Sequence, residues 1–450
     1  MLGQILAIAR NTFVESLRQP IFFVLVMAAG AMQVVNTLLS AYSMDYSEQL
    51  EVTADNKLLL DMGLATVLVC ATLLAAFVAT SVVSREIENK TALTVISKPV
   101  GRPLFVIGKY LGIAGAITVA AVIMLIFFLF AIRHSVMSTA RDTVDGPVLL
   151  FASTAVLIAL ALGIWGNFFY GWVFSSTVIG SLLPLVVIGY LITMMVSKEW
   201  EFQPISTDFK PQVTLAAVCV LLCLLVLTSI AVACSTRLGQ VMTIVFCAGA
   251  LMLGLLSNHL LGRHAFDNEQ ISVIESVEPD RIDTADMRKA GNFITVTLKT
   301  PPSHDLKVGD ELYFGPNPNG VGLAVPAQQA FTGDATKGSD VENPRQGPAL
   351  VIRAIEPKLK FVLVNVNNLA IERLPEKGDY IFLHQTGIHP LPRVAWGIIP
   401  NFQYYWLVDA ITQGHTVPVR YFGMLAAYGF AQIIAFLSIG VLLFQRRDVG

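Results

Sequence analysis

The chain has 450 residues, 54% of them hydrophobic and only 14% charged. Soluble domains carry about 25% charged residues, so this composition excludes a water-soluble protein and predicts an integral membrane protein. The formal net charge is −2 and no basic cluster with interleaved aromatics occurs, which leaves nothing to hold a nucleic acid.

Residues 1–19 put Leu2, Ile5, Leu6, Phe13 and Leu17 mainly on one side of a helix, and Gln4, Asn11, Glu15 and Arg18 on the other. Such a helix lies in the plane of the membrane interface, and Pro20 marks its hand-over to a first span over about 21–42. That span is longer than a signal peptide's apolar core, and no clean small-x-small site follows it, so the helix is expected to be retained. An acidic loop with Asp45, Glu48, Glu51 and Asp55 leads to a second apolar run over 57–84.

A third run covers 110–132, and each of these runs reaches the roughly 20 residues that cross a bilayer. Between them, 85–112 reads REIENKTALTVISKPVGRPLFVIGKYLG and holds Arg85, Lys90, Lys98, Arg102 and Lys109. Short loops with that basic bias stay in the cytoplasm. Glu86 and Glu88 open the loop, and 91–97 predicts a short amphipathic helix that Pro99 ends. Gly101 and Pro103 predict a bend around Arg102, after which Gly108-Lys109 re-enters the membrane.

Beyond Arg133 and an outer loop, two runs, 148–172 and about 175–196, are joined by a tight turn. Trp165, Phe168, Phe169, Tyr170 and Trp172 there suit a membrane interface. Two further spans, 213–234 and 241–261, flank the link Ser235-Thr236-Arg237-Leu238-Gly239-Gln240, and a last span over 422–444 ends in Gln445-Arg446-Arg447-Asp448. Eight spans place both termini in the cytoplasm, and the basic residues favour that side. The five cysteines all lie within apolar runs and read as small hydrophobes, leaving no disulfide evidence for a compartment.

Residues 263–395 break the apolar pattern and, by span parity, face outward. Ile294, Val296 and Leu298 alternate with Thr295, Thr297 and Lys299 as a half-buried strand does. Further strands are predicted over 270–275, 311–314, 349–355, 359–366 and 380–384. The insert has two similar halves, each with a Gly-Asp turn (Gly309-Asp310 and Gly378-Asp379) feeding an aromatic strand. That pattern predicts a small antiparallel barrel or sandwich, and 315–348, rich in Gly, Pro, Asn and Gln, a long mobile loop. Residues 396–450 then form an interfacial segment with Trp396, Tyr404, Tyr405 and Trp406 as anchors, and the last span.

Several of these features together resemble the ABC-2-type transporter permeases, in particular those of copper-enzyme maturation and gliding-motility systems. The resemblance rests on Glu86, Glu88, Thr91, Lys98-Pro99, Arg102 and Gly108-Lys109-Tyr110-Leu111-Gly112. The Ser235-Thr236 link, Pro400-Asn401-Phe402 and the Phe444-x-Arg446-Arg447-Asp448 terminus add to it. It covers roughly 1–132, 211–261 and 396–450; the 148–196 pair and the insert depart from it. With six family-like spans, one additional pair and the insert, the chain reads as an α-helical polytopic membrane protein of about eight spans (20–262 and 396–450) carrying an inserted extracytoplasmic β-rich domain. The resemblance implies a multi-pass protein of the cell (inner) membrane, acting as permease subunit of an ATP-driven exporter. The 85–109 loop would dock on a separate ATPase subunit, with Glu86, Glu88, Thr91, Lys98, Pro99, Arg102, Gly108 and Lys109 as its coupling residues. ATP and Mg would belong to that partner, and a second permease copy or paralogue would complete the transporter within membrane lipid.

The remaining chemistry is sparse. No G-x-x-x-x-G-K-[ST] stretch occurs, so ATP hydrolysis is not expected on this chain, and neither HExxH nor CxxC is present. A metal pair built on His384 and His389 with His264 or His304 is disfavoured at this spacing on loops. Ion-coupled carriers need intramembrane carboxylates; the only acid near a span interior is Asp61, close to one end. Gln33, Asn36 and Asn167 read as helix-to-helix hydrogen-bonding groups. The alternative is a non-transporting membrane scaffold whose outer β-domain binds envelope partners, which co-purification of an ATPase separates from the exporter.

Overall fold

A computed structural model describes residues 2–40, 48–84, 86, 101–136, 143–278, 287–343, 345, 347–357, 359–412 and 417–445, with side chains left out for 48–56. The chain forms two units, Met1–Leu255 with Phe402–Gly450, and Leu256–Asn401.

The first unit is helical. Helix α1 (Leu2–Leu17) precedes α2 (Pro20–Leu39), α3 (Glu48–Ala79), α4 (Arg102–His134), α5 (Gly146–Tyr170), α6 (Phe174–Met194), α7 (Pro211–Ser235) and α8 (Gln240–Ser257), and the unit ends with α9 (Val419–Gln445). Among the described residues eight helices are long and apolar enough to cross a membrane, α1 not being one of them. α3, α4 and α7 are buried along most of their apolar length, whereas α2, α5, α6 and α9 bury only a minority of theirs. Burial on all sides explains why the central three are hydrophobic all round. α4 is the hub and touches α1, α2, α3, α5, α6, α7 and α9.

At 33 residues α4 is about 50 Å long, against a hydrocarbon core of about 30 Å. The surplus turns carry Arg102 and Lys109 at one end and Arg133 and His134 at the other. The stretch expected to bend around Arg102 is instead the helix start: Gly101 is its N-cap and Pro103 sits in its first turn. Proline is tolerated there because the first N–H groups have no helical partner anyway. Between α2 and α3, Gln33 Nε2 donates to the Gly63 carbonyl (3.0 Å) and Asn36 Nδ2 to Thr66 Oγ1 (3.1 Å), the helix-to-helix role expected of both. Asn167 instead closes the α5–α6 turn, donating to the Trp172 carbonyl.

The second unit is built around six antiparallel strands: β1 (Gln270–Glu278), β2 (Phe293–Leu298), β3 (Tyr313–Gly315), β4 (Ala349–Glu356), β5 (Lys360–Val366) and β6 (Tyr380–Phe382). They run in the order β3-β6-β1-β2-β5-β4. Glu311, just before β3, bridges to Val351 of β4, and Leu312 N donates to the Leu350 carbonyl (3.0 Å), so the row closes into a barrel. Ile274, Ile294, Val296, Leu312, Leu350 and Phe382 are among its buried interior residues.

The two halves of the barrel repeat. β1 carries a register shift after Ile274 and β4 one after Ile352. Gly309 N donates to the Ile352 carbonyl (2.8 Å), and Gly378 N to the Ile274 carbonyl (2.9 Å). Asp310 Oδ2 accepts from Lys307 N (2.7 Å) and Asp379 Oδ2 from Glu376 N (3.0 Å). Each half's Gly-Asp turn is thus bonded into the other half, as in a two-fold exchange. The described residues of 315–348, a stretch expected to be mobile, are packed down. Val325, Ala335 and Val341 are buried, and Phe331 packs on β4 and β5. Gln328 bridges the closing seam, donating to the Leu312 carbonyl (2.7 Å) and accepting from Leu350 N (2.8 Å). Scattered apolar side chains bury against the barrel, which the Gly/Pro-rich composition conceals.

In the same unit, the short helix Pro390–Ile398 packs against the turns Asn258–Gly262 that continue α8. Trp396 Nε1 donates to Asn258 Oδ1 (3.1 Å), and Arg393 lies over the Trp396 ring. In the helical unit, Tyr405, expected as an interfacial anchor, is buried with Phe402 in the core, while Trp406 Nε1 donates to Asp61 Oδ1 (3.2 Å).

Candidate coupling site

One end of the helical unit collects the charged ends of several helices. Lys109, about two turns into α4, is buried, and its Nζ lies 2.7 Å from Glu86 Oε1. The ammonium also stands 5.6 Å from the centre of the Phe105 ring. A buried ammonium is costly unless paired, so Lys109 ties Glu86, two positions beyond the π-helical turn Thr80–Ser84, to α4. Glu15 of α1 belongs to the same cluster. Burial lifts its carboxyl above the ordinary value, with Lys109 drawing it down and Glu86 pushing it up.

Arg102 Nη1 donates to the Gln445 carbonyl (2.7 Å), and Arg237 Nε, from the α7–α8 link, to the Leu443 carbonyl (2.9 Å). The last four carbonyls of a helix have no partner within it and carry the negative end of its dipole. Two arginines therefore fasten the end of α9 to the start of α4 and to the α7–α8 link.

The glycines of Gly108-Lys109-Tyr110-Leu111-Gly112 seat α1 on α4. A Cβ at Gly112 would lie 2.5 Å from the Ala9 carbonyl oxygen, and one at Gly108 would lie 2.9 Å from Ile8. Thr12 and Ser16 of α1 are buried in the unit, and Ser16 Oγ bonds back to the Thr12 carbonyl (2.7 Å). Glycine at one-turn spacing lets two backbones approach closely, as between membrane helices. Beside this seam, a cleft of about 960 Å³ opens, lined by Asn11, Glu15, Arg18, Glu86 and Gln240 among others.

Of the residues expected to couple, Glu86, Arg102, Gly108 and Lys109 are thus gathered at one end. Glu88, Thr91, Lys98 and Pro99, the predicted helix over 91–97, and Arg446-Arg447-Asp448 lie outside the described residues. Glu15 was expected only as part of a polar helix face, and its half-buried position beside Lys109 has no signal in a single sequence.

The opposite end holds a cluster that sequence reasoning did not assemble. Arg133 Nη1 and Nη2 donate to the carbonyls of Thr193 (2.7 Å) and Val196 (2.8 Å) at the end of α6. The guanidinium also pairs with Asp145 (3.4 Å) and Asp208 (3.0 Å). Asp145 is fully buried and caps α5, its Oδ1 accepting from Val148 N (3.1 Å). An Asp before Gly146-Pro147 is a helix-start signal, so the cap was readable but its arginine partner was not.

Residues 6–166 match the family described as ABC-2 family transporter protein. No curated protein and no solved structure matches the chain.

Proposed function

From the match of residues 6–166 to the ABC-2 transporter family, we propose that the chain is an ABC-2-type permease, the membrane subunit of an ATP-driven exporter. A separate ATPase chain binds ATP and Mg and docks on the 85–109 stretch at the cytoplasmic face, where both termini also lie. Two copies of the permease, or this chain and a paralogue, complete the transporter in the cell membrane. The family match carries this reading, since it spans the 85–112 stretch and both helices that flank it.

The geometry supports a mechanical role for the stretch. Force applied between Glu86 and Gly101 reaches α4 directly and reaches α1 through the Gly108–Gly112 seam. It reaches α9 through Arg102. ATPase closure would thereby move three helices that share one fastened end, and the spans would rock between inward-open and outward-open states.

Affinity purification of the intact protein from its native membrane, followed by mass spectrometry, tests the reading. An ABC ATPase is expected at a stoichiometric level. A charge-reversing Glu88→Lys or Arg102→Glu variant is expected to insert normally and lose transport. A native assembly without an ATPase, or full transport by both variants, overturns it.

A further inference from the structure

We propose that the slot between α2 and α5, floored by α4, is a retained-lipid site that takes one acyl chain of a bilayer phospholipid. The slot has a volume of about 590 Å³, within the roughly 300–1,000 Å³ usual for small-molecule sites. Met27, Gly30, Ala31 and Leu38 line it from α2, Phe127 from α4, and Ala152 from α5.

Its length points to the occupant. The α2 lining runs from Met27 to Leu38, eleven steps of about 1.5 Å, or about 16 Å. Half the hydrocarbon core of a bilayer is about 15 Å. The slot therefore runs the depth of one leaflet, from the middle of the membrane to the end where α2 and α4 finish. His134 lines that end and is the one ionisable residue among the lining residues. An occupant with a single polar end and a hydrocarbon tail fits this polarity.

The walls suit a tail. Thr37 Oγ1 donates to the Val34 carbonyl (2.7 Å) and Ser153 Oγ to the Leu149 carbonyl (2.6 Å), so both hydroxyls are satisfied within their own helices. Gln33 turns its amide N–H to Gly63 of α3. Gly30 lets the Phe127 ring lie flat on α2, since a Cβ there would stand 3.1 Å from the ring. Ala31 and Ala152 leave the width of a chain open. Both flanking helices are spans with exposed apolar side chains beside the slot, including Val34, Leu38, Leu149 and Leu157, so lipid has a lateral way in.

The test is native mass spectrometry of the full chain purified in a mild detergent that strips loosely held lipid. Wild type is expected to keep about one phospholipid per chain. The slot-filling pair Ala31→Phe and Ala152→Phe is expected to cut that occupancy about ten-fold, while Ala161→Phe, exposed on α5 outside the slot, retains it. Electron paramagnetic resonance of wild type with phospholipid spin-labelled on the acyl chain gives a second readout without mutation, an immobilised component being expected. Absence of both the bound lipid and the immobilised component in wild type overturns the proposal, as does unchanged occupancy in the filled variant. Efficient disulfide linkage of two chains through Val34→Cys also overturns it, because a second copy would then fill the slot. None of these readouts depends on an ATPase, so they stand apart from the transport assignment.

Discussion

Lys109 Nζ and Glu86 Oε1 lie 2.7 Å apart, with the lysine side chain only 3% exposed and the glutamate 24%. This pair joins the segment after α3 to the first turns of α4. Removing one partner leaves the other charge beside an apolar interior, and a hydrogen bond to a charged group contributes about 2 kcal/mol. Glu86→Ala is expected to lower the thermal midpoint in detergent, and adding Lys109→Met to restore part of the loss. A double-mutant cycle on the two positions measures the coupling; a cycle that closes to zero would refute the pairing.

Glu15 sets a pH dependence at the same end. Its folded-state pKa is raised, chiefly by burial, so the folded protein holds this proton to higher pH than the unfolded chain. The folded state then binds more protons across that window, and stability falls as pH rises from the ordinary glutamate value through the raised one. Glu15→Gln is expected to flatten this part of the stability profile. Melting curves from pH 4 upward, at about unit steps, compare the two proteins.

Backbone approach at Gly112 is closer than at Gly108, with a backbone oxygen and Thr12 in the way of a Cβ. Gly112→Ala is expected to destabilise by about 1–3 kcal/mol, as overpacking does, and Gly108→Ala by less, since Ile8 has side-chain freedom. Gly180, with open space around it, is the control. Protease access to α1 is the readout, and equal access in all three variants would contradict the seam.

Arg133 holds the end of α6, the α5 cap and Asp208 with one planar fork. Arg133→Ala leaves Asp145 buried without its cation and is expected to cost about 3 kcal/mol. Arg133→Lys is expected to recover little, because an ammonium lacks the fork. The thermal midpoints of the two variants should fall close together.

Gly309 and Gly378 both adopt positive φ, +99° and +95°, at equivalent turns of the barrel. Alanine at either is expected to destabilise by about 1 kcal/mol. Hydrogen exchange of Ile352 N and Ile274 N, which donate to Asp310 and Asp379 carbonyls, should speed up in the matching variant. A large effect at one turn and none at the other would argue against the two-fold repeat.

What the sequence determined by itself was the set of elements. Long apolar runs can satisfy their backbone only as helices in lipid, so the eight spans were legible, as was the alternation of Ile294, Val296 and Leu298 on a strand. The two Gly-Asp turns announced a repeated barrel because only glycine takes that φ without strain. The tertiary structure alone decided which charges meet. Glu15 and Glu86 are 71 positions apart; Glu86 meets Lys109 from beyond the end of α3, and Glu15 comes near it because Gly108 and Gly112 let α1 lie against α4. Arg102 and Gln445 are separated by 343 positions. Such partners are fixed by helix packing over long sequence separations, and no local pattern records that.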